Sequence, residues 1–358
     1  MSAPLRTPLF DEHVAAGGRM VEFAGWEMPV QYDGVIAESK SVRQRAGMFD
    51  VSHMGRTWFR GPASLEYLEE ITVNDVSKLN DGGSQYSMLC YENGTVVDDI
   101  YLYRVNAETF RVVINASNRQ KDIEWMLSFN RGRSELNDET FETSMLAVQG
   151  PEAVSIIASL GAPELESVER YHSAEAVVAG VRCFAGRTGY TGEDGFELIC
   201  AADESVALWQ ALLKAGVHPC GLASRDVLRV EAGLPLYGHE INDQINPIEA
   251  GLGWVCSKTK SFLGSNAINA MRESKPRRKI MGIRMASKLV PREGYTVMRN
   301  GKKIGIVTSG VFSPTLDCGI AFAMLDAADS AEGECHLIVR DNPQPATIVN
   351  KRFLSKKS

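Results

Sequence analysis

No run of about 18 apolar residues occurs in the 358-residue chain, so no helix is expected to span a membrane. The first residues lack the apolar core of a secretory signal, so the mature chain is expected to begin here and work in the cytoplasm. There is no long basic block and the net charge is −7, which sets nucleic acid and anionic membranes aside as partners. The short basic groups Pro276–Lys279, Lys351-Arg352 and Lys356-Lys357 read as solvated linker and terminus, or as contacts for an acidic protein. Seven scattered cysteines, odd in number and never spaced CxxC, argue against a disulfide framework and a zinc site. The six histidines show no HExxH, and no metal is expected. No GxGxxG opens a helix, and neither a Walker A loop nor a GxSxG elbow is present. Dinucleotide, P-loop and serine-nucleophile chemistry therefore have no sequence support.

What is present is 44% hydrophobic residues over a length that can bury large cores and divide into two or three domains. The chain is organised around Gln85–Arg104. Asn93-Gly94 predicts a tight primed hairpin turn, with positive φ at both residues. The strand after it alternates: Val96, Asp98, Ile100 and Leu102 face a core, while Val97, Asp99, Tyr101 and Tyr103 share the other face. A carboxylate in line with two phenols can form the wall of a site for a flat, nitrogen-rich ligand. The same pattern suits a strand-end carboxylate on a solvated face beside half-buried tyrosines. The hairpin alone leaves both readings standing.

Residues 14–34 predict short strands and turns around Trp26 and Pro29. A helix follows over Val35–Ala46, stopped by a left-handed Gly47. Met48–Gly55 predicts a strand entering the core, with His53 satisfied by a backbone partner. Thr57–Arg60 predicts a strand, and Ala63–Ile71 a helix with Leu65, Leu68 and Ile71 on one stripe. Thr109–Asn115 adds a strand and Arg119–Phe129 a helix, making an α+β unit over about 51–140. Met145–Pro151 leads from a strand into a helix near Ala153, and the glycines after Arg187 predict a tight loop before a strand carrying Glu197. Ser205–Ala215 predicts a helix with Val206, Trp209 and Leu213 inward and Gly216 closing it; Ser224 is expected to cap another. From about residue 260 short strands, with a hairpin at Asn300-Gly301, predict a small β-barrel or sandwich.

Motifs in order along the chain carry a resemblance. They are Thr7-Pro-Leu-Phe10, Met20-Val-Glu-Phe-Ala-Gly-Trp-Glu-Met-Pro29, Gly47-Met-Phe-Asp-Val-Ser-His-Met54, Asp98-Asp99, Gln149-Gly-Pro151 and Arg187-Thr-Gly-Tyr-Thr-Gly-Glu-Asp-Gly-Phe-Glu197. Arg225-Asp226, Asn246-Pro247, Thr308-Ser-Gly310 and Phe312-Ser-Pro-Thr-Leu316 continue the series. Together they resemble the aminomethyltransferases, the T-proteins of the glycine cleavage system. The resemblance implies an α+β, three-domain cloverleaf of antiparallel sheets with flanking helices and a C-terminal β-barrel, around a central folate site. It places a discontinuous first domain at 1–50 and 143–243, a second at 51–142 and the barrel domain at 244–358.

It also implies transfer of a one-carbon unit from the aminomethyl group on the lipoyl arm of H-protein to tetrahydrofolate, releasing ammonia and 5,10-methylenetetrahydrofolate. By resemblance Asp99 is the essential acid, Tyr101 and Tyr103 line the folate, Glu197 hydrogen-bonds the pterin, Tyr190 packs along it and Arg225 lies close to the acid. Tyr86, Asn115 and Trp254 match pocket positions, and Met54 suits either a pocket wall or core packing. Thr95 and Tyr101 depart from the family pattern without touching the acid pair. Two other readings use the same fold: a folate-dependent demethylase, and a folate-binding iron–sulfur assembly factor whose Lys-Gly-Cys motif is missing here.

Overall fold

The computed structural model describes residues 3–354. It divides into two compact units, one taking the chain up to Ser87 and Asp99–Arg225, the other Met88–Asp98 and the chain from Asp226 onward.

The first unit contains a small sheet in which Trp26–Gln31 pairs with Leu5–Arg6 and Arg19–Phe23. Its six-stranded sheet runs in the order Ser173–Val178, Val181–Gly186, Gly195–Ala201, Thr143–Gln149, Gly47–Asp50, His218–Pro219. Apolar residues of these strands pack with Ile157 of helix Ala153–Ser159 and Trp209 of helix Ser205–Lys214 into one core. The latter helix buries Leu208, Trp209 and Leu212, one position round from the stripe expected, with Val206 and Leu213 partly buried at its flanks. Gly216 closes it with φ 86°, as expected, and its N–H donates to Leu213 O at 3.0 Å.

Gly47 does not stop the preceding helix. That helix is Val35–Gln44, and Gly47 opens the strand Gly47–Asp50. The glycine is needed for close approach, since a Cβ there would lie 2.5 Å from Val42 Cγ2 and 2.7 Å from Cys220 Sγ. Ser224 is likewise no cap: it sits inside helix Leu222–Ala232 and its hydroxyl donates to Gly221 O at 2.8 Å. The helix start is held by Glu38 Oε2, which accepts from Gly221 N at 2.9 Å.

A five-stranded antiparallel sheet has the order Ser84–Cys90, Val96–Asn106, Thr109–Ile114, Gly55–Arg60, Glu135–Asp138. The last strand was not legible, because Glu-Leu-Asn-Asp carries no apolar alternation. Helix Ser64–Ile71 buries Tyr67, Leu68 and Ile71, so Tyr67 takes the inward place expected of Leu65. The hairpin turn also differs from the primed form. Only Gly94 has positive φ (79°); its N–H donates to Tyr91 O at 2.8 Å, and Tyr91 N donates to Thr95 O at 2.9 Å. Asn93 Oδ1 accepts from Thr95 N at 3.0 Å and Thr95 Oγ1 at 2.7 Å, which favours a three-residue loop with a left-handed glycine.

In the second unit a closed antiparallel barrel follows helix Ser265–Ser274, in the order Arg278–Met285, Cys318–Asp326, Lys302–Ser313, Thr296–Arg299, Gly333–Val339, Asn342–Val349. Asn300 (φ 50°) and Gly301 (φ 76°) make the expected two-residue hairpin. A bulge between Val307 and Ser309 brings consecutive hydroxyls to one buried carboxylate: Thr308 and Ser309 donate to Glu240 Oε1 at 2.6 and 2.7 Å. Arg229 donates to the other oxygen at 2.8 Å. The Thr308-Ser-Gly motif thus fastens Glu240, and through it Arg229, to the barrel wall. Among the described residues no helix is long and apolar enough to cross a membrane.

Candidate functional site

Strand parity holds in part. Val96, Asp98, Ile100 and Leu102 are buried and Asp99 and Tyr101 are only partly covered, but Val97 and Tyr103, on the second face, are buried as well. The two neighbouring strands fix the Asp99 carboxylate. Tyr86 Oη donates to Oδ2 at 3.0 Å, and Asn115 Nδ2 donates to Oδ1 at 2.7 Å. The same amide also reaches Asp99 O at 3.2 Å. The carboxylate is thereby held from both oxygens by groups that carry no charge.

Further along this face Tyr101 and Tyr103 tilt against each other with ring centroids 5.1 Å apart. Tyr101 Oη pairs with Ser84 Oγ at 3.1 Å, and burial pushes its phenol up to about 12. Tyr103 is only 1% exposed. It stands edge-on to Phe184, and its hydroxyl donates to Glu197 Oε2 over a long 3.4 Å. Glu197 is 9% exposed. Burial pushes its carboxyl up, while the charge of Arg225 and the Tyr103 hydroxyl draw it back. Burial in turn lowers the Arg225 guanidinium, which Glu197 and Tyr190 help to keep charged. Arg225 Cζ lies 4.8 Å from the Tyr190 ring centroid, and its Nη1 is buried without a hydrogen-bond partner.

Tyr190 is presented by the loop between Val181–Gly186 and Gly195–Ala201. Arg187 closes that loop with two bonds to Asp194, at 3.1 and 2.7 Å. The buried Gln149 amide donates to Thr188 O at 2.9 Å and accepts from Thr191 Oγ1 at 2.9 Å. Gly150, next in the Gln-Gly-Pro motif, has φ 136°, and a Cβ there would come 2.4 Å from Arg45 O. This motif shapes the loop.

The first unit therefore gathers Tyr86, Asp99, Asn115 and Tyr101 along one strand face and Tyr103, Glu197, Arg225 and Tyr190 beyond them. Met54 lies half-buried in the turn before strand Gly55–Arg60. Trp254 belongs to the second unit and is 75% exposed. Sequence reasoning missed Ser84, Phe184 and Gly186, whose roles depend on neighbours distant along the chain. Among the described residues no group of three His, Cys, Asp or Glu side chains is placed to hold a metal ion.

His53 departs from expectation. It is buried, its ring meets Phe23 edge-on, and Nδ1 has no hydrogen-bond partner. Burial lowers its pKa to about 4; Asp50 opposes the shift, and Arg225 and Arg56 add to it. The unfolded chain takes up this proton near pH 6.5 and the folded chain does not. Stability is therefore expected to fall by about 3 kcal/mol as pH drops from 6.5 to 4. Denaturant melts across that range should show a shallower slope in His53→Gln; an unchanged slope would place the proton elsewhere.

Two sequence families match the chain: the GCVT N-terminal domain over residues 9–260 and the glycine cleavage T-protein C-terminal barrel domain over residues 278–354. A chain matched over these spans is a transferase of the glycine cleavage T-protein class. The chain belongs to the aminomethyltransferase family of the glycine cleavage system. It is 48% identical to an aminomethyltransferase of Symbiobacterium thermophilum, covering 97% of this chain and 96% of that one. It is 44% identical to one of Geobacillus kaustophilus, covering 96% and 97%. The crystal structure of glycine cleavage system aminomethyltransferase T from Bartonella henselae matches with TM-score 0.93 at 33% identity, covering 99% of both chains.

Proposed function

We propose that the chain transfers the one-carbon unit of an aminomethyl group, carried on the lipoyl arm of H-protein, to tetrahydrofolate. Ammonia, 5,10-methylenetetrahydrofolate and dihydrolipoyl H-protein are the products. The observation that carries this reading is the Asp99 carboxylate, held through both oxygens by Tyr86 and Asn115. The donor set beyond it suits a pterin edge. Glu197 is a buried carboxylate that accepts one long hydrogen bond, and Arg225 Nη1 is a buried donor without an acceptor. An amino-pyrimidinone edge offers paired N–H donors beside a carbonyl, so Glu197 would take the donors and Arg225 the carbonyl.

Tetrahydrofolate, when bound, supplies the nucleophilic nitrogen that accepts the one-carbon unit. Asp99 contributes electrostatically. Positive charge develops on the transferred carbon and its nitrogen, and an anion fixed beforehand lowers the energy of that charge without reorganising. Tyr86 and Asn115 hold the carboxylate in place, and Tyr190, stacked with Arg225, offers a flat apolar face.

The division into 1–50 with 143–243, 51–142 and 244–358 goes with this reading. The six-stranded sheet, the five-stranded sheet and the barrel each fall within one of the three. A cytoplasmic location goes with it as well, since all seven cysteines are free and buried.

The test is ammonia release from aminomethyl-loaded H-protein with and without tetrahydrofolate, and with H-protein lacking its lipoyl group. Release that needs both the lipoyl arm and tetrahydrofolate is expected. Formation of 5-methyltetrahydrofolate from a methylated sulfonium or amine, with no H-protein present, would select the demethylase reading, and folate binding without turnover the assembly-factor reading.

A further inference from the structure

We propose that Tyr103 is a positioning residue that acts through Glu197, and that Gly186 is the residue that admits it. The inference rests on the folate reading of the Glu197 site and assigns Tyr103 a task other than lining the ligand. Tyr103 is too deeply buried to present its ring to a ligand, at 1% exposure. Its ring is enclosed by Tyr101 on one side, at 5.1 Å between centroids, and by Phe184 on the other, at 5.2 Å and 89°. The single polar act left to its hydroxyl is donation to Glu197 Oε2.

Glu197 lies directly across the strand ladder from Gly186. A Cβ built on Gly186 would come 2.5 Å from Tyr103 Oη and 2.6 Å from Cε1, well inside van der Waals contact. Gly186 does not have a left-handed φ, so nothing in its own backbone asks for glycine. The missing side chain is required by the phenol that crosses above it. The six-stranded sheet thus leaves an opening of one methyl group, through which a residue of the other sheet reaches a buried carboxylate.

A buried carboxylate needs donors both to stay ionised and to keep one orientation. Arg225 supplies charge to Glu197, and Tyr103 supplies a directed hydrogen bond that fixes the plane of the carboxyl group. Without the hydroxyl, Glu197 would bind its proton more readily and turn more freely. Both changes weaken its ability to accept the paired N–H donors of a ligand.

The experiment is a titration of tetrahydrofolate binding by intrinsic fluorescence between pH 5 and 8. It uses the wild-type full chain, Tyr103→Phe, Gly186→Ala and the double variant, with a thermal melt of each to show that it is folded. Tyr103→Phe, which keeps the ring, is expected to raise Kd about tenfold at neutral pH, the loss of one hydrogen bond to a charged group. Its acid loss of binding should begin at higher pH than in the wild type. Gly186→Ala should reproduce both effects, and the double variant should be no worse than the worse single one, because both changes remove the same contact. A pH profile unchanged in Tyr103→Phe, or additive effects in the double variant, would overturn the proposal. A wild-type chain that binds no tetrahydrofolate would overturn the folate reading instead, so the two failures are distinct.

Discussion

Asp99→Asn is expected to lower kcat for ammonia release by on the order of 10²–10³, the range found when one preorganised electrostatic group is removed from an active site. Tetrahydrofolate affinity should stay within about threefold, since a neutral isostere leaves uniform binding largely intact. The geometry explains this split. In the variant, the remaining carbonyl oxygen can still accept from Asn115 Nδ2, and the new amide can donate to Tyr86 Oη, so the side chain keeps its place. On the proposed reaction, what disappears is the negative charge that stabilises the carbon as it becomes positive. Single-turnover measurement with loaded H-protein, set beside a binding titration, separates the two quantities. Near-normal turnover in a variant that still binds would remove Asp99 from the chemistry. A large loss of binding with kcat preserved would make it a ligand anchor instead.

The parts of this site that could be read from the sequence are those that depend on local geometry. Alternation along Val96–Tyr103 places Asp99 and Tyr101 on the face opposite the buried Asp98 because side chains in a strand repeat every two residues. The Asn300-Gly301 hairpin is legible for a similar reason: two residues with positive φ suffice to specify it. Where a position answers to partners far along the chain, the local pattern is silent or misleading. Parity groups Tyr103 with Asp99, yet Tyr103 is enclosed because Phe184 and Gly186 arrive from another sheet. Gly47 follows a helical pattern and looks like a stop, but its lack of a side chain is needed by Val42 and Cys220. His53 fits a strand entering the core, while its unpaired Nδ1 depends on how the surrounding residues close over it. The resemblance supplies family roles for Glu197, Tyr190 and Arg225; their electrostatic dependence on one another is visible only in three dimensions.

Asp50→Ala should be strongly destabilising, costing about 2–6 kcal/mol, the range for leaving two buried hydrogen-bonding groups without their partner. Asp50 joins a closed polar chain in which His13 Nε2 donates to Oδ2 at 2.9 Å and Tyr32 Oη pairs with His13 Nδ1 at 2.9 Å. The Ser52 N–H donates to Oδ1 at 2.9 Å. Alanine would strand the imidazole and the Ser52 amide in a place that water does not reach. Burial by itself would push the Asp50 carboxyl up, but the His13 bond and charge and the Ser52 bond outweigh it and hold the group well below the usual carboxylate range. A depressed carboxylate adds stability that is complete above about pH 4, where the unfolded chain is also ionised, and is lost as pH falls through the folded value. The acid limb of the stability curve should therefore show two components, one from His53 between pH 6.5 and 4 and one from Asp50 below it. In Asp50→Asn the lower component should disappear while the upper one persists. Urea midpoints measured at closely spaced pH values decide the matter: an Asp50→Ala midpoint within about 1 kcal/mol of wild type at pH 7 would mean that the buried chain contributes little to holding the unit together.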